Sequence, residues 1–175
     1  EAELFGIEER TATGVRGRRG KFENADGGTL FLDEVSDLSA TAQAKLLRAI
    51  QDLTVERVGG SASHRVDIRV VAATNRNPSA AVKEGKLRQD LFYRLNVFHL
   101  ELPPLRERGE DIALLAGYFL ESFAAKYQKS NSPWGNDFAS ALQGHPWPGN
   151  VRELRNAMER LTVLADVPSL SAADF

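Results

Sequence analysis

Short apolar runs and amphipathic stretches alternate over the first part of the chain. Leu30-Phe31-Leu32 lies between Gly27-Gly28 and Asp33-Glu34, and this length and these flanks predict a buried parallel strand that ends in acid. In residues 66–73 apolar and polar side chains alternate at first, and the last positions are all apolar. This pattern predicts a second strand in a sheet covered on both faces. Apolar and polar side chains alternate again in residues 98–102, which predicts a third strand.

The spacing of apolar residues predicts helices between these strands and after them. We expect a helix from about 40 to 53, capped by Ser39, and another over 87–95. Beyond Pro103-Pro104 the spacing is helical only. Strands that alternate with helices, followed by helices alone, indicate an α/β domain over residues 1–104 and an α-helical subdomain over 105–175.

The composition narrows the functional classes. The 22 basic and 24 acidic residues give a formal net charge of −2, which does not argue for a nucleic-acid or membrane surface. The sequence has no cysteine, which excludes thiolate metal sites and agrees with a reducing compartment. No apolar run approaches the roughly 20 residues of a membrane span, and no secretion leader is visible. We therefore expect a cytoplasmic protein without a membrane partner.

Polar residues follow the first two predicted strands. Asp33 and Glu34 form an acidic pair that can hold Mg²⁺ with one carboxylate and orient or deprotonate water with the other. Thr74 and Asn75 lie beside this pair if the two strands are parallel neighbours. The carboxamide can then position an attacking water or contact a phosphate. The alternatives are two solvated acids and an ordinary Thr-Asn turn.

Two arginines belong to the helix predicted over 87–95. Arg88 and Arg94 are six positions apart, so on a helix their side chains point about 120° apart. One alternative is that both are solvated, one of them near Asp90. The other is that they contact phosphate on a neighbouring subunit, where a planar guanidinium suits the developing charge.

Arg152 lies in the first turn of the last predicted helix, with Asn150 as its expected N-cap and Glu153 as the partner in a capping box. The helix dipole disfavours a cation at this position. Either Glu153 compensates the charge or a bound anion does. The other basic cluster, Arg16 to Lys21, is not a P-loop, because no G-x-x-x-x-G-K-[ST] occurs in the sequence.

A series of short motifs follows in order along the chain. They are Glu3-Leu4-Phe5-Gly6, Gly20-Lys21-Phe22-Glu23, Gly27 to Glu34, Lys45-Leu46-Leu47-Arg48, Glu56 to Gly60, Ala72-Ala73-Thr74-Asn75, Leu102 to Arg106 and Trp147-Pro148-Gly149-Asn150. Over nearly its whole length the chain therefore resembles the central AAA+ domain of sigma-54-dependent transcription activators, the nitrogen-regulator family. The resemblance implies a P-loop-NTPase-type α/β fold, a parallel sheet missing its N-terminal strands, followed by a small α-helical lid.

The resemblance also implies a role for each candidate residue. Asp33 and Glu34 match Walker B, with Asp33 as the Mg²⁺ ligand and Glu34 as the residue that activates water. Thr74 and Asn75 match sensor I, with Thr74 on the nucleotide side.

The arginines have counterparts in the family as well. Arg88 and Arg94 match its trans-acting arginine fingers, and Arg152 matches the nucleotide-binding sensor II arginine of the lid. Family members form rings, hexamers or heptamers, with ATP between subunits, and hydrolysis drives a pore loop against sigma-54 RNA polymerase to remodel the closed promoter complex. We therefore expect ATP and Mg²⁺ as cofactors, a homo-oligomeric ring and sigma-54 RNA polymerase as partners, and DNA bound through a domain outside this chain.

The sequence departs from the family in its loop signature. G-A-F-T-G-A should fall at Arg10-Thr11-Ala12-Thr13-Gly14-Val15, where only Thr13 and Gly14 agree. Ala12 replaces the aromatic residue that contacts the sigma factor, and its methyl group lacks the apolar area of a phenyl ring, whose burial contributes ~1.5–3 kcal/mol. The alternative to an ATPase fragment is therefore a regulatory scaffold that keeps the AAA+ fold for self-association and acts without sigma-54 remodelling.

A second departure concerns the P-loop, which in the family lies upstream of the Glu-Leu-Phe-Gly motif and is not in this sequence. We expect either a sheet without its normal middle strand or direct pairing of the strands that end at Ala73 and Leu102. We also expect that this chain by itself does not hydrolyse ATP, because it lacks the P-loop lysine and amides.

Overall fold

The computed structural model describes residues 1–9, 16–130, 133–164 and 169–174. The chain divides into two compact units, Glu1–His99 and Leu100–Phe175. Strands and helices alternate in the first unit, whereas the second is largely helical. Each unit has a hydrophobic core of its own.

The first unit consists of short elements. In chain order they are α1 (Ala2–Phe5), β1 (Gly6–Ile7), β2 (Arg18–Arg19), α2 (Lys21–Asn24), β3 (Thr29–Leu32), a 3₁₀ turn (Val35–Asp37), α3 (Ala40–Asp52), β4 (Thr54–Glu56), β5 (Ser63–Arg65), β6 (Arg69–Ala72), α4 (Pro78–Lys83) and α5 (Gln89–Leu95). Ser39 caps α3 as predicted, since its hydroxyl accepts the Ala42 N–H at 3.2 Å. In the described part of the first unit the strands form three pairs, of which β1–β2 and β4–β5 are antiparallel.

The third pair consists of β3 and β6, which are parallel neighbours as predicted, with Thr29 opposite Arg69 and Leu32 opposite Ala72. Successive side chains of a strand point to opposite faces. Leu30 and Leu32 are buried in the core, whereas Phe31 is 60% exposed. The prediction of a sheet covered on both faces is therefore wrong for the described part of the chain, because only one face of this pair packs on the core.

The segment 98–102 is not a strand, which corrects a second prediction. It has no strand assignment, and its alternating apolar residues Phe98, Leu100 and Leu102 are 91%, 88% and 89% exposed. The predicted direct pairing with the strand that ends at Ala73 is absent as well, since β6 pairs with β3 in the described residues. Alternation supplies an apolar face, but a strand also needs a neighbour for its backbone hydrogen bonds.

The described residues of the second unit form three α-helices, as its apolar spacing predicted. They are α6 (Gly109–Tyr127), α7 (Asn136–Gly144) and α8 (Asn150–Leu164), with 3₁₀ turns at Leu105–Glu107 and Ala172–Asp174. Phe138 and Trp147 are buried between them, and the Trp147 indole N–H donates to the Leu142 carbonyl at 2.7 Å. Among the described residues, no helix has the length and apolar character needed to cross a membrane.

Candidate functional site

The strands β3 and β6 end at the same edge of the first unit. Their ladder continues past both strands, because the Ala73 N–H donates to the Leu32 carbonyl at 2.8 Å and the Val35 N–H donates to the Ala73 carbonyl at 3.0 Å. The acidic pair that follows β3 and the Thr-Asn pair that follows β6 are therefore adjacent. The predicted juxtaposition is present, and in parallel sheets this edge is where ligands bind.

Glu34 connects the two strand ends directly. Its carboxylate accepts the backbone N–H of Asn75 at 3.1 Å. Glu34 has φ 51° and ψ 49°, a left-handed conformation that costs a residue with a Cβ on the order of 1–2 kcal/mol. This conformation takes the chain out of β3 into the 3₁₀ turn and leaves the carboxylate against the end of β6.

Asp33 is exposed at the same edge. One of its carboxylate oxygens accepts the Glu34 N–H at 3.1 Å, and within the described ranges the other oxygen has no hydrogen-bond donor. No group of three or more potential protein ligands is found among the described residues. Mg²⁺ in nucleotide sites is commonly held by one or two carboxylates with phosphates and water. Asp33 fits such a site if phosphate oxygens complete the ligand set.

Thr74 and Asn75 differ in what their side chains contact. The Thr74 hydroxyl shares a 2.9 Å hydrogen bond with the Ser36 hydroxyl and accepts the Arg76 N–H at 3.2 Å, so it ties β6 to the turn after Glu34. The Asn75 carboxamide is exposed and has no partner in the described part of the chain, which leaves it available to water or phosphate. Ser36, buried at 4% exposure, was missed by the sequence reasoning because no motif marks it.

Arg88 is not on a helix, which corrects the prediction of a helix over 87–95. The helix α5 begins at Gln89, Arg88 is its N-cap residue, and the expected angle of 120° to Arg94 does not apply. The Arg88 guanidinium forms a bidentate pair with Asp90, with Nε–Oδ1 at 3.0 Å and Nη2–Oδ2 at 2.7 Å. This pair lowers the pKa of Asp90 to about 2 and raises that of Arg88. Arg94 is exposed and donates to the Ile50 carbonyl at 3.4 Å.

Arg152 lies in the first turn of α8 and is exposed, without an ion pair or hydrogen bond to any described residue. The predicted capping box, with Asn150 as the N-cap, is not formed, because Asn150 is the first residue of α8 and its N–H donates to the Trp147 carbonyl at 2.9 Å. The Glu153 carboxylate accepts the Gly149 N–H at 2.8 Å, and the side-chain amide oxygen of Asn150 accepts the Leu105 N–H at 2.8 Å and does not cap α8. The Glu153 carboxylate is therefore hydrogen-bonded to the backbone, and it forms no ion pair with Arg152.

An open groove of about 860 Å³ runs along α8 in the second unit. Arg152, Asn156 and Arg160 line it together with the turn that precedes the helix. Glu153 and Glu159 also line it, so the two arginines are balanced by two carboxylates, and only the start of the helix adds positive potential at the Arg152 end.

The predicted sigma-factor loop, Arg10 to Val15, lies outside the described residues. Its base is the β1–β2 pair, where Gly6 has φ 83° and a Cβ would stand 2.6 Å from the Arg18 carbonyl oxygen. Beside it, Arg57 donates to both carboxylate oxygens of the largely buried Glu23, at 2.8 and 2.9 Å. These hydrogen bonds lower the pKa of the Glu23 carboxyl below its ordinary value.

Comparison with known sequence families matches both units. Residues 1–101 match the family described as the Sigma-54 interaction domain, and residues 106–175 match the AAA+ ATPase lid domain. The chain belongs to the sigma-54 interaction domain family. This confirms the predicted family and the AAA+ fold class.

Similar proteins are about three times as long as the chain. It is 51% identical over 167 residues to the nitrogen fixation protein AnfA of Azotobacter vinelandii, which covers 95% of the chain and 31% of AnfA. It is 49% identical over 176 residues to the regulatory protein AtoC of Escherichia coli K12, covering 100% of the chain and 38% of AtoC. The chain thus spans about a third of the length of these relatives.

Solved structures of NtrX from Brucella abortus are similar to the whole chain. The complex of NtrX with ADP gives a TM-score of 0.89 at 39% sequence identity, covering 99% of the chain and 39% of NtrX. The complex with ATP gives a TM-score of 0.88 at 39% identity.

Proposed function

We propose that this chain is part of the ATP-hydrolysing domain of a longer sigma-54-interacting transcriptional regulator. In that protein Asp33 binds Mg²⁺ and Glu34 activates the attacking water. Asn75 positions this water against the terminal phosphate, and Thr74 lies on the nucleotide side. Hydrolysis then remodels the closed complex of sigma-54 RNA polymerase.

One observation carries the proposal: the parallel register of β3 and β6 delivers the acidic pair and Asn75 to a single edge. Glu34 has its carboxylate on the Asn75 N–H at 3.1 Å, so the expected general base and the expected sensor are in direct contact. A carboxylate beside an exposed carboxamide can orient a water molecule, and the neighbouring Asp33 supplies the charge that holds a divalent cation.

The arginines support a site shared between subunits. Arg88 and Arg94 are exposed at the start and near the end of α5. Within one subunit the Arg88 guanidinium is occupied by Asp90, and the phosphates of a nucleotide on an adjoining subunit would compete with that carboxylate. A homo-oligomeric ring, hexameric or heptameric, follows from this proposal.

The second unit would contribute Arg152 as the lid residue that contacts nucleotide. The Arg152 guanidinium supports this role, because it pairs with no described residue and lines an open groove along α8. The NtrX structures with ADP and ATP support a nucleotide as the ligand, and Mg²⁺ follows from the Asp33 carboxylate. DNA would be bound by a part of the protein outside this chain, and the cytoplasm is the expected compartment.

Within the described residues, no structural observation favours the scaffold alternative. The altered loop at residues 10–15 that suggested it is outside the described residues. The residues expected for hydrolysis, Asp33, Glu34, Arg88, Arg94 and Arg152, are all present. Contact with sigma-54 is therefore retained in the proposal.

The test is the substitution Glu34→Gln in the longer protein. Loss of a general base typically costs roughly 10²–10⁴-fold in rate, so ATP turnover should fall by about that factor while nucleotide binding is retained. Asp37→Asn is the matched control, because Asp37 is an exposed carboxylate in the same turn that pairs only with Arg76 at 3.4 Å within the described residues. Turnover should be unchanged in this control. Normal turnover in Glu34→Gln, or equal losses in both variants, would contradict the proposal.

A further inference from the structure

Gln43 is a buried polar side chain in the middle of α3. It is 3% exposed, although its neighbours along the buried stripe of the helix are apolar. Its amide nitrogen donates to the carbonyls of Leu38 and Lys86, each at 2.8 Å. Its carbonyl oxygen accepts the backbone N–H of Arg88 at 2.9 Å. Both donors and the acceptor are thus engaged with backbone groups of two other segments.

These segments belong to different parts of the candidate site. Leu38 directly follows the 3₁₀ turn Val35–Asp37, which begins after Glu34. Lys86 and Arg88 form the approach to α5. The carboxamide of Gln43 therefore joins the backbone next to the acidic edge to the backbone from which the Arg88 side chain extends.

Arg88 depends on this junction more than a helical residue would. As the N-cap residue it has an extended backbone, with φ −67° and ψ 135°, and its N–H makes no helical hydrogen bond. The Gln43 oxygen fixes that backbone, and Asp90 fixes the guanidinium.

We propose that Gln43 is a positioning residue for Arg88, holding it at a defined distance from the acidic edge so that it reaches the nucleotide of an adjoining subunit. This inference rests on the proposed function. Misplacement of a catalytic group by about 1 Å can cost roughly 10²-fold in rate, so removal of the Gln43 hydrogen bonds should lower turnover without removing any group that contacts nucleotide.

The variant Gln43→Met in the longer protein removes all three hydrogen bonds at similar side-chain volume. Its ATP turnover should fall by about 10- to 100-fold, with nucleotide binding by separated subunits unchanged within about twofold. Gln51→Met makes the same chemical change at an exposed position of α3 and should leave turnover unchanged. Equal turnover in Gln43→Met and the unmodified protein would overturn the inference.

Rings mixed from two variants can distinguish a displaced Arg88 from a general loss of structure in the Gln43→Met subunit. A Gln43→Met subunit keeps its own Asp33 and Glu34 but presents a displaced arginine, whereas a Glu34→Gln subunit has no general base but presents Arg88 correctly. Mixed rings should therefore recover turnover that neither variant shows alone. A Gln43 role confined to the fold or to its own acidic edge would give no recovery.

Arg88→Ala mixed with Glu34→Gln is the reference for this experiment. Recovery in the reference but not with Gln43→Met overturns the inference and leaves the proposed function intact. Absence of recovery in the reference overturns the finger assignment itself. If Gln43→Met does not fold, the mixing is repeated with Gln43→Asn, which keeps a neutral carboxamide but is one methylene shorter and cannot reach all three backbone groups. The same recovery is expected, and its absence overturns the inference.

Discussion

The hydrogen bond between Ser36 and Thr74 gives a quantitative test of how the two strand ends are held together. The two hydroxyl oxygens are 2.9 Å apart and 38 positions apart in sequence, and Ser36 is 4% exposed. The perturbation is a double-mutant cycle of Ser36→Ala, Thr74→Val and the combined variant. Each substitution removes one hydroxyl and keeps the approximate shape of the side chain.

The two single substitutions should differ in cost. Ser36→Ala leaves the Thr74 hydroxyl with its second contact, the Arg76 N–H at 3.2 Å, so we expect a loss of about 0.5–1.5 kcal/mol in unfolding free energy. Thr74→Val leaves the buried Ser36 hydroxyl without its partner, which costs about 1–3 kcal/mol. The combined variant has no orphaned hydroxyl, so its loss should fall short of the sum by about 1 kcal/mol.

Amide hydrogen exchange at Val35 and Ala73 is the assay, because both N–H groups bridge the ends of β3 and β6. Their exchange reports the opening free energy of this region independently of the second unit. Losses that add within about 0.3 kcal/mol would refute the reasoning, since they would mean that the hydroxyls do not interact.

Two further predictions concern stability. The Arg57 hydrogen bonds lower the pKa of Glu23 below its ordinary value of 4.5, so the stabilisation from this carboxylate is present above pH 4.5 and is lost as the pH falls through the lower folded-state pKa. The difference in unfolding free energy between the unmodified chain and Glu23→Gln should therefore shrink on acidification, and a constant difference would contradict the assignment. Phe138→Ala, at 0% exposure, should cost about 3–5 kcal/mol, whereas Phe98→Ala, at 91% exposure, should stay within about 0.5 kcal/mol, both measured by chemical denaturation.

Sequence pattern predicted the elements that carry the candidate site. The short apolar run before Asp33 forms β3, and the apolar stretch before Thr74 forms β6. The helix predicted from the Ser39 cap and the apolar stripe is α3. The shared edge was predictable as well, because two adjacent parallel strands must end on the same side.

The pattern failed where a residue's partner is remote in sequence. Residues 98–102 alternate as a strand does, but alternation cannot supply the neighbouring backbone that a strand requires. Asn150 has the residue type of an N-cap, yet its side chain accepts from Leu105, 45 positions away. Arg88 fits a helical pattern, but its N–H is bound by Gln43 and the helix begins one residue later.

The sequence by itself determined the local elements, the family and the polar residues at the strand ends, because periodicity, caps and motifs depend only on residues that are close together in the sequence. Only the tertiary structure decided the register of β3 against β6, the contact of Glu34 with Asn75 and the anchoring of Arg88 by Gln43. The physical reason is that a buried polar group must find a hydrogen-bond partner wherever the fold brings one within reach, and sequence distance does not limit that choice.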